Sequence, residues 1–185
     1  MSWTEQLNGL LARNALASHP KDVLEIESHA VTAAQCIKDT DAAGLSNYMK
    51  FQAAYSAGHQ MLTAAIKMEG YKPVNQPGHR SILYDLIGDL FPGAAASQEP
   101  LTRAHNRRNR AEYDIVHDVT NAQVAELIAA VKSVKEEFDF NLKKFKIQMA
   151  AQSKPAPPAQ APSALVAAAT PTEPAKPKKP PYKKK

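Results

Sequence analysis

Residues 120–145 read TNAQVAELIAAVKSVKEEFDFNLKKF and carry the pattern of a long amphipathic helix. Apolar side chains return every three or four positions, at Val124, Leu127, Val131, Val134, Phe138, Leu142 and Phe145. This spacing places them on one face of a helix. Thr120-x-x-Gln123 has the spacing of a capping box, so the helix is predicted to begin there. A helix with one continuous apolar face needs other elements to pack against.

Upstream, proline and glycine divide an alanine-rich sequence into further helical segments. Ser2-x-x-Glu5 has capping-box spacing and predicts the start of the first helix. Pro100 suits the first turn of the helix that precedes the long one. The predicted segments are 2–17, 21–38, 42–69, 78–91 and 101–116. We therefore predict an all-α fold, a bundle of five or six helices, in one domain over residues 1–152.

The last 33 residues, 153–185, differ from this domain in composition. They contain nine of the 14 prolines, seven lysines and one glutamate, a net charge of +6, whereas residues 1–152 carry −1. Such a segment buries too little apolar area to offset its chain entropy, so we predict a disordered basic tail. Its lysines are candidate nucleic-acid contacts, in particular Lys178, Lys179, Lys183, Lys184 and Lys185. A tail that only improves solubility explains the same composition.

Other features narrow the class of protein. A single cysteine, Cys36, excludes an internal disulfide framework and a multi-cysteine zinc site. Its apolar surroundings in the sequence suggest packing rather than a nucleophile. No secretory signal pattern and no run of about 18 apolar residues is present. We therefore expect a cytoplasmic protein without a membrane partner. Phosphate-binding loops, dinucleotide-binding glycines, His-Glu-x-x-His and Gly-x-Ser-x-Gly are also absent from the sequence.

The predicted helix 101–116 has an unusual concentration of arginines. It carries four of the six arginines in the domain: Arg103, Arg107, Arg108 and Arg110. Helical spacing puts Arg108 on one stripe with four apolar residues, Leu101, Ala104, Ala111 and Ile115, and puts His105 and Asn109 on the next stripe. A guanidinium on an apolar stripe needs a partner, a cleft or a subunit interface. A solvated helix with one extended arginine would show a similar pattern.

The run 108–114, Arg-Asn-Arg-Ala-Glu-Tyr-Asp, resembles the signature helix of the HEPN superfamily, the higher-eukaryote and prokaryote nucleotide-binding domains. The signature begins Arg-Asn and separates the arginine from a histidine by four to six intervening residues. Two other segments resemble HEPN proteins in the expected order: residues 53–58, AAYSAG, and the turn 69–73, EGYKP, with 77–80, PGHR. The resemblance covers about residues 40–145.

This resemblance implies a helical bundle that dimerises, with both signature helices in a shared cleft. Active HEPN proteins are metal-independent ribonucleases, many of them toxins or antiviral effectors, so no metal or cofactor is expected. RNA cleavage through the 2′-hydroxyl needs a proton acceptor, a proton donor and cations at the phosphate. Histidine and arginine can supply these functions.

The sequence departs from the HEPN motif at one position. Tyr113 stands where many active members have histidine, and the reference pKa of tyrosine, near 10, makes it a poor base at pH 7. Arg110 and His117 still satisfy the permitted spacing, with six residues between them. The candidate catalytic set is therefore His117 as acid/base, Arg108 and Arg110 at the phosphate, and Asn109 and Tyr113 as orienting groups. Arg103 and Arg107 are candidate nucleic-acid contacts.

The sequence leaves two functions open. One is an RNA- or nucleotide-phosphate-binding homodimer, with or without ribonuclease activity of the toxin or antiviral-defence type. The other is a non-catalytic HEPN module that binds an antitoxin or another protein partner and contacts nucleic acid through its tail.

Overall fold

The computed structural model describes residues 3–74, 79–111 and 118–152. Within them the fold is all-α, as predicted, with seven α-helices, one 3₁₀ helix and two short strands. In chain order these are α1 (Trp3–Ala12), β1 (Leu16–Ser18), α2 (Val23–Thr40), α3 (Asn47–Met68), β2 (Tyr71–Pro73), α4 (His79–Asp85), α5 (Ile87–Leu90), the 3₁₀ helix (Pro92–Ser97), α6 (Gln98–Ala111) and α7 (Asn121–Gln152).

Helix α3 is the central element of the core. It packs against α2 on one side and α7 on another, and most of its second half is buried. Among its fully buried side chains are Met61, Leu62 and Ile66. Helix α7 supplies the predicted apolar face, including Val134 and Phe138. The core therefore forms where three amphipathic helices bury their apolar faces together.

Side-chain hydrogen bonds to backbone N–H groups cap the first turns of α2 and α7. Asp22 accepts hydrogen bonds from the backbone N–H groups of Leu24 (2.9 Å) and Glu25 (3.3 Å) and so caps α2. The predicted capping box of α7 is confirmed: the Thr120 N–H donates to Gln123 Oε1 (3.1 Å), and the Gln123 N–H donates to Thr120 Oγ1 (3.3 Å). These bonds satisfy N–H groups that otherwise have no partner in a first helical turn.

The prediction of one helix over 2–17 was wrong. Helix α1 ends at Ala12, and Asn14 adopts a left-handed conformation with φ 55°. Leu16–Ser18 instead forms β1, antiparallel to β2, with Leu16 opposite Pro73 and Ser18 opposite Tyr71. Gly70, with φ 90°, makes the turn into β2, and its carbonyl accepts from the His19 N–H (2.8 Å). The two strands tie the start of the chain to the end of α3.

The predicted helix 78–91 is broken in two. Leu86, with φ −90° and ψ 0°, separates α4 from α5. The 3₁₀ helix that follows is held by α7, because the Glu137 carboxylate accepts from the backbone N–H groups of Gly93 (3.2 Å) and Ala94 (3.0 Å). Two carboxylate hydrogen bonds at a helix start fix the direction in which the chain enters α6.

Candidate functional site

Helix α6, which carries the arginine cluster, packs closely against α3. Leu101 is fully buried and Ala104 almost so. A β-carbon added to Gly58 of α3 would lie only 2.7 Å from Leu101 Cδ2 and 3.6 Å from Val131 Cγ2. The absence of a side chain at Gly58 therefore allows α3, α6 and α7 to meet at one point.

His105 is a core residue, although helical spacing places it one stripe away from the apolar residues of α6. Its side chain lies against the core with 3% of the residue exposed. Tyr55 Oη is 3.1 Å from its Nδ1, and Asn109 Nδ2 is 3.0 Å from its Nε2. A buried polar ring is tolerated because both nitrogens have hydrogen-bond partners. The i, i+4 spacing of His105 and Asn109 was the sequence signal for this pair.

Four aromatic rings from three helices, His105 among them, cluster at this position. His105 stacks on Tyr84 of α4, with ring centroids 4.6 Å apart and an interplanar angle of 27°. Tyr55 lies near both rings, 6.1 Å from Tyr84 and 6.2 Å from His105 between centroids. His59 stacks with Tyr55 at 6.2 Å. The rings therefore hold α3, α4 and α6 together.

The arginines of α6 differ in their surroundings. Arg103 forms ion pairs with Glu99, at 2.6 Å, and with Glu126 of α7, and half of its side chain is exposed. Arg107 donates to the Asp118 backbone carbonyl, across the segment that links α6 to α7. Arg108 is half-buried, which places it at the margin of the apolar face. Ion pairs at exposed sites are weak, so these two contribute little to the stability of the fold.

The structure brings together only part of the predicted site. Arg103, Arg107, Arg108 and Asn109 all belong to α6, with Arg103 and Arg107 on one face by helical spacing and Asn109 bonded to His105. The backbone of Arg110 belongs to α6, but its side chain is outside the described residues. Tyr113 and His117 fall in 112–117, also outside them, and so do the lysines of the tail. Among described side chains the site is therefore a cationic helix surface with one amide, Asn109, fixed by a buried ring.

A second polar network, which sequence analysis missed, joins α2 to α3. Lys67, 9% exposed, donates to Glu25 Oε1 (2.6 Å) and lies 2.8 Å from His29 Nε2. His29 Nδ1 lies 2.5 Å from Gln60 Oε1, and His19 Nε2 lies 2.7 Å from Glu25 Oε2. His19 and His29 are both half-buried in this network.

The network changes the acidity of one carboxyl group. Hydrogen bonds from Lys67, and then from His19, lower the pKa of Glu25 from 4.5 to about 2. The charged carboxylate is thus the form that the fold requires. Helical spacing was the available signal, since Glu25 and His29 are four residues apart on α2, and Gln60 and Lys67 seven apart on α3.

Other candidate chemistry receives little support from the described parts of the chain. In them, no group of three or more His, Cys, Asp or Glu side chains is arranged to hold a metal ion. Cys36 is half-buried, and burial, with a smaller contribution from Asp39, raises the pKa of its thiol. A raised pKa disfavours the reactive thiolate, in agreement with a packing role.

Across the same residues, none of the helices combines the length and apolar character that crossing a membrane requires.

No protein-family model, curated protein or solved structure matches the chain. The resemblance to HEPN proteins therefore depends on the three sequence segments 53–58, 69–80 and 108–114.

Proposed function

We propose that α6 forms a binding surface for the phosphates of RNA or of a nucleotide, in a HEPN-like domain. The observation that supports this most is the anchoring of Asn109 by His105, next to half-buried Arg108. The guanidinium of Arg108 can bind a phosphate, and the Asn109 amide, held by His105, can hydrogen-bond the attached sugar. Arg103 and Arg107 extend the cationic surface along the same helix.

Binding is a better match to the described residues than catalysis. His105, the histidine of α6, is buried and bonded through both ring nitrogens, so it is poorly placed to exchange protons with a substrate. Any acid/base chemistry would fall to His117. In the proposed mechanism for a cleaving protein, His117 transfers the proton while Arg108 and Arg110 stabilise the phosphate charge, and no metal takes part.

The proposal is tested by the affinity of the full chain for a fluorescent single-stranded RNA at several salt concentrations. Arg108→Ala is expected to weaken binding by roughly tenfold or more, because hydrogen bonds to charged groups contribute about 1.5–3 kcal/mol. It should also reduce the salt slope by about 0.7, the value for one phosphate contact on a single strand. Asn109→Ala should weaken binding and leave the slope unchanged.

Arg13→Ala is the matched control, because Arg13 is exposed at the end of α1 and carries the same charge. It should change the affinity by less than about twofold, the scale expected for a distant charge in screening salt. Equal, small effects of Arg13→Ala and Arg108→Ala would contradict an α6 site.

We also propose that the domain is a homodimer that places two α6 helices in one cleft. The basis is the resemblance of residues 108–114 to the HEPN signature helix, which implies a symmetric dimer with both signature helices in one cleft. Sedimentation of the wild-type chain at tens of micromolar should show a dimer, and Arg108→Ala should weaken it. A monomer at that concentration would contradict the shared cleft.

The rival function is a non-catalytic module that binds a protein partner, such as an antitoxin, and touches nucleic acid only through the tail. In that case RNA affinity would not depend on Arg108 or Asn109. It would depend on residues 153–185 alone.

A further inference from the structure

The hydrogen bonds around His105 define the orientation of the Asn109 amide. Asn109 Nδ2 faces His105 Nε2 at 3.0 Å. An amide nitrogen can only donate, so Nε2 accepts and the ring hydrogen lies on Nδ1. Nδ1 then donates to Tyr55 Oη at 3.1 Å. One neutral form of the ring therefore satisfies both contacts.

The ring has little freedom to change this arrangement. His105 is 3% exposed and stacked on the fully buried ring of Tyr84, with centroids 4.6 Å apart. Rotating the imidazole would break the bonds to Tyr55 and Asn109 together, and each unsatisfied buried group carries a desolvation cost. The tyrosine rings of α3 and α4 thus fix the histidine, and the histidine fixes the amide.

This orientation determines what Asn109 can offer to a ligand. The two terminal atoms of a primary amide lie on opposite edges of one plane, so Oδ1 is turned away from His105. A carbonyl oxygen accepts hydrogen bonds and repels phosphate oxygens. It suits a hydroxyl donor, and the 2′-hydroxyl is the group by which proteins distinguish RNA from DNA.

We propose that His105 is a positioning residue that makes Asn109 an acceptor for the ribose 2′-hydroxyl. This inference rests on the proposed function, and it goes further by assigning different tasks to adjacent residues. Arg108 binds the phosphate of either nucleic acid, whereas Asn109 recognises the ribose. Neither the imidazole of His105 nor the rings behind it contacts the ligand.

The test compares the affinities of the full chain for a ribo- and a 2′-deoxyribo-oligonucleotide of the same sequence. Wild type should prefer the ribo form by roughly fivefold, since one net hydrogen bond has about that effect. Asn109→Ala and His105→Phe should both remove the preference, and His105→Phe should leave deoxyribo-oligonucleotide affinity within about twofold of wild type. A merely structural role for His105 would lower both affinities together.

His105→Phe leaves the Tyr55 hydroxyl without its histidine partner, so Tyr55→Phe/His105→Phe serves as a second variant that removes both ends of the bond. It should also lack the preference. Full ribose preference in either histidine variant would overturn the proposal.

A second measurement is independent of nucleic acid. Nitrogen-15 chemical shifts of the imidazole should show the hydrogen of His105 on Nδ1. A hydrogen on Nε2 would require Oδ1 of Asn109 to face the ring and would overturn the proposal.

The failures of the two proposals are distinguishable. Equal wild-type affinity for both oligonucleotides, still weakened by Arg108→Ala, would overturn the role of His105 and leave the α6 phosphate site standing. Affinity that does not respond to Arg108→Ala would overturn the α6 site, and the inference with it.

Discussion

Tyr55 on α3 and His105 on α6 are 50 residues apart in sequence and share a buried hydrogen bond of 3.1 Å between Oη and Nδ1. Three residues after Tyr55, Gly58 faces the same helix and lies under Leu101. The close approach of Gly58 to Leu101 sets the separation of α3 and α6. The Tyr55–His105 hydrogen bond sets their register. The position of Arg108 and Asn109 therefore depends on how closely these helices pack.

Gly58→Ala is expected to destabilise the domain. The added carbon would lie 2.7 Å from Leu101 Cδ2, and Leu101 is fully buried and cannot move into solvent. Overpacking costs about 1–3 kcal/mol, partly offset by the better helix propensity of alanine. The melting temperature should fall by several degrees. Gly9→Ala on α1 is the matched control: nothing lies within 4 Å of the new carbon, so it should not lower the melting temperature.

Glu25→Gln is expected to remove an acid-dependent part of the stability. Because the pKa of Glu25 is lowered from 4.5 to about 2 in the fold, the carboxylate stabilises the domain above about pH 4.5, and this contribution is lost as the pH falls towards 2. Urea unfolding should show Glu25→Gln less stable than wild type at pH 7, with the difference shrinking on acidification. Glu136→Gln, a carboxylate of α7 outside this network, should show no comparable trend.

If the protein cleaves RNA, cleavage should persist in EDTA and leave 2′,3′-cyclic phosphate or 3′-phosphate ends. His117→Ala should reduce the rate by at least ~100-fold, since positioned acid/base catalysis contributes roughly 10²–10⁴. Gel analysis of end-labelled RNA measures the cleavage rate and identifies the product ends. Activity lost in EDTA, or unchanged in His117→Ala, would remove His117 from the mechanism. Activity lost only in Tyr113→Phe would assign the proton transfer to tyrosine.

Deleting residues 153–185 should weaken RNA affinity and reduce its salt slope. The segment carries a net charge of +6, and lysines that neutralise phosphates release counterions. The melting temperature of residues 1–152 should remain nearly unchanged. Equal RNA affinity of the full and shortened chains at low salt would favour a tail that only improves solubility. A large fall in melting temperature would contradict the division of the chain at 152.

Periodicity and capping predicted α2 to within two residues and located α3, α6 and α7, because these signals are local. The reciprocal bonds of Thr120 and Gln123 formed as the spacing indicated. The pairing of Leu16 with Pro73 was not predictable, since three-residue strands carry almost no pattern and the partners are far apart.

The candidate site was predicted only in part, for a related reason. A helical wheel gives only the direction of a side chain about the helix axis, so it placed His105 one stripe from the apolar residues and did not show its burial. Burial of that ring depends on Tyr55, a partner from another helix. The Glu25–Lys67 contact likewise joins residues 42 positions apart, so spacing within α2 and within α3 could not pair them with each other.

The most direct test of the α6 site is a titration of the nitrogen-15-labelled full chain with single-stranded RNA, followed by amide chemical shifts. We expect the largest shifts on α6 at Arg107, Arg108 and Asn109, together with the side-chain amide of Asn109. Shifts confined to residues 153–185, with α6 unchanged at saturating RNA, would contradict an RNA-binding surface on this helix.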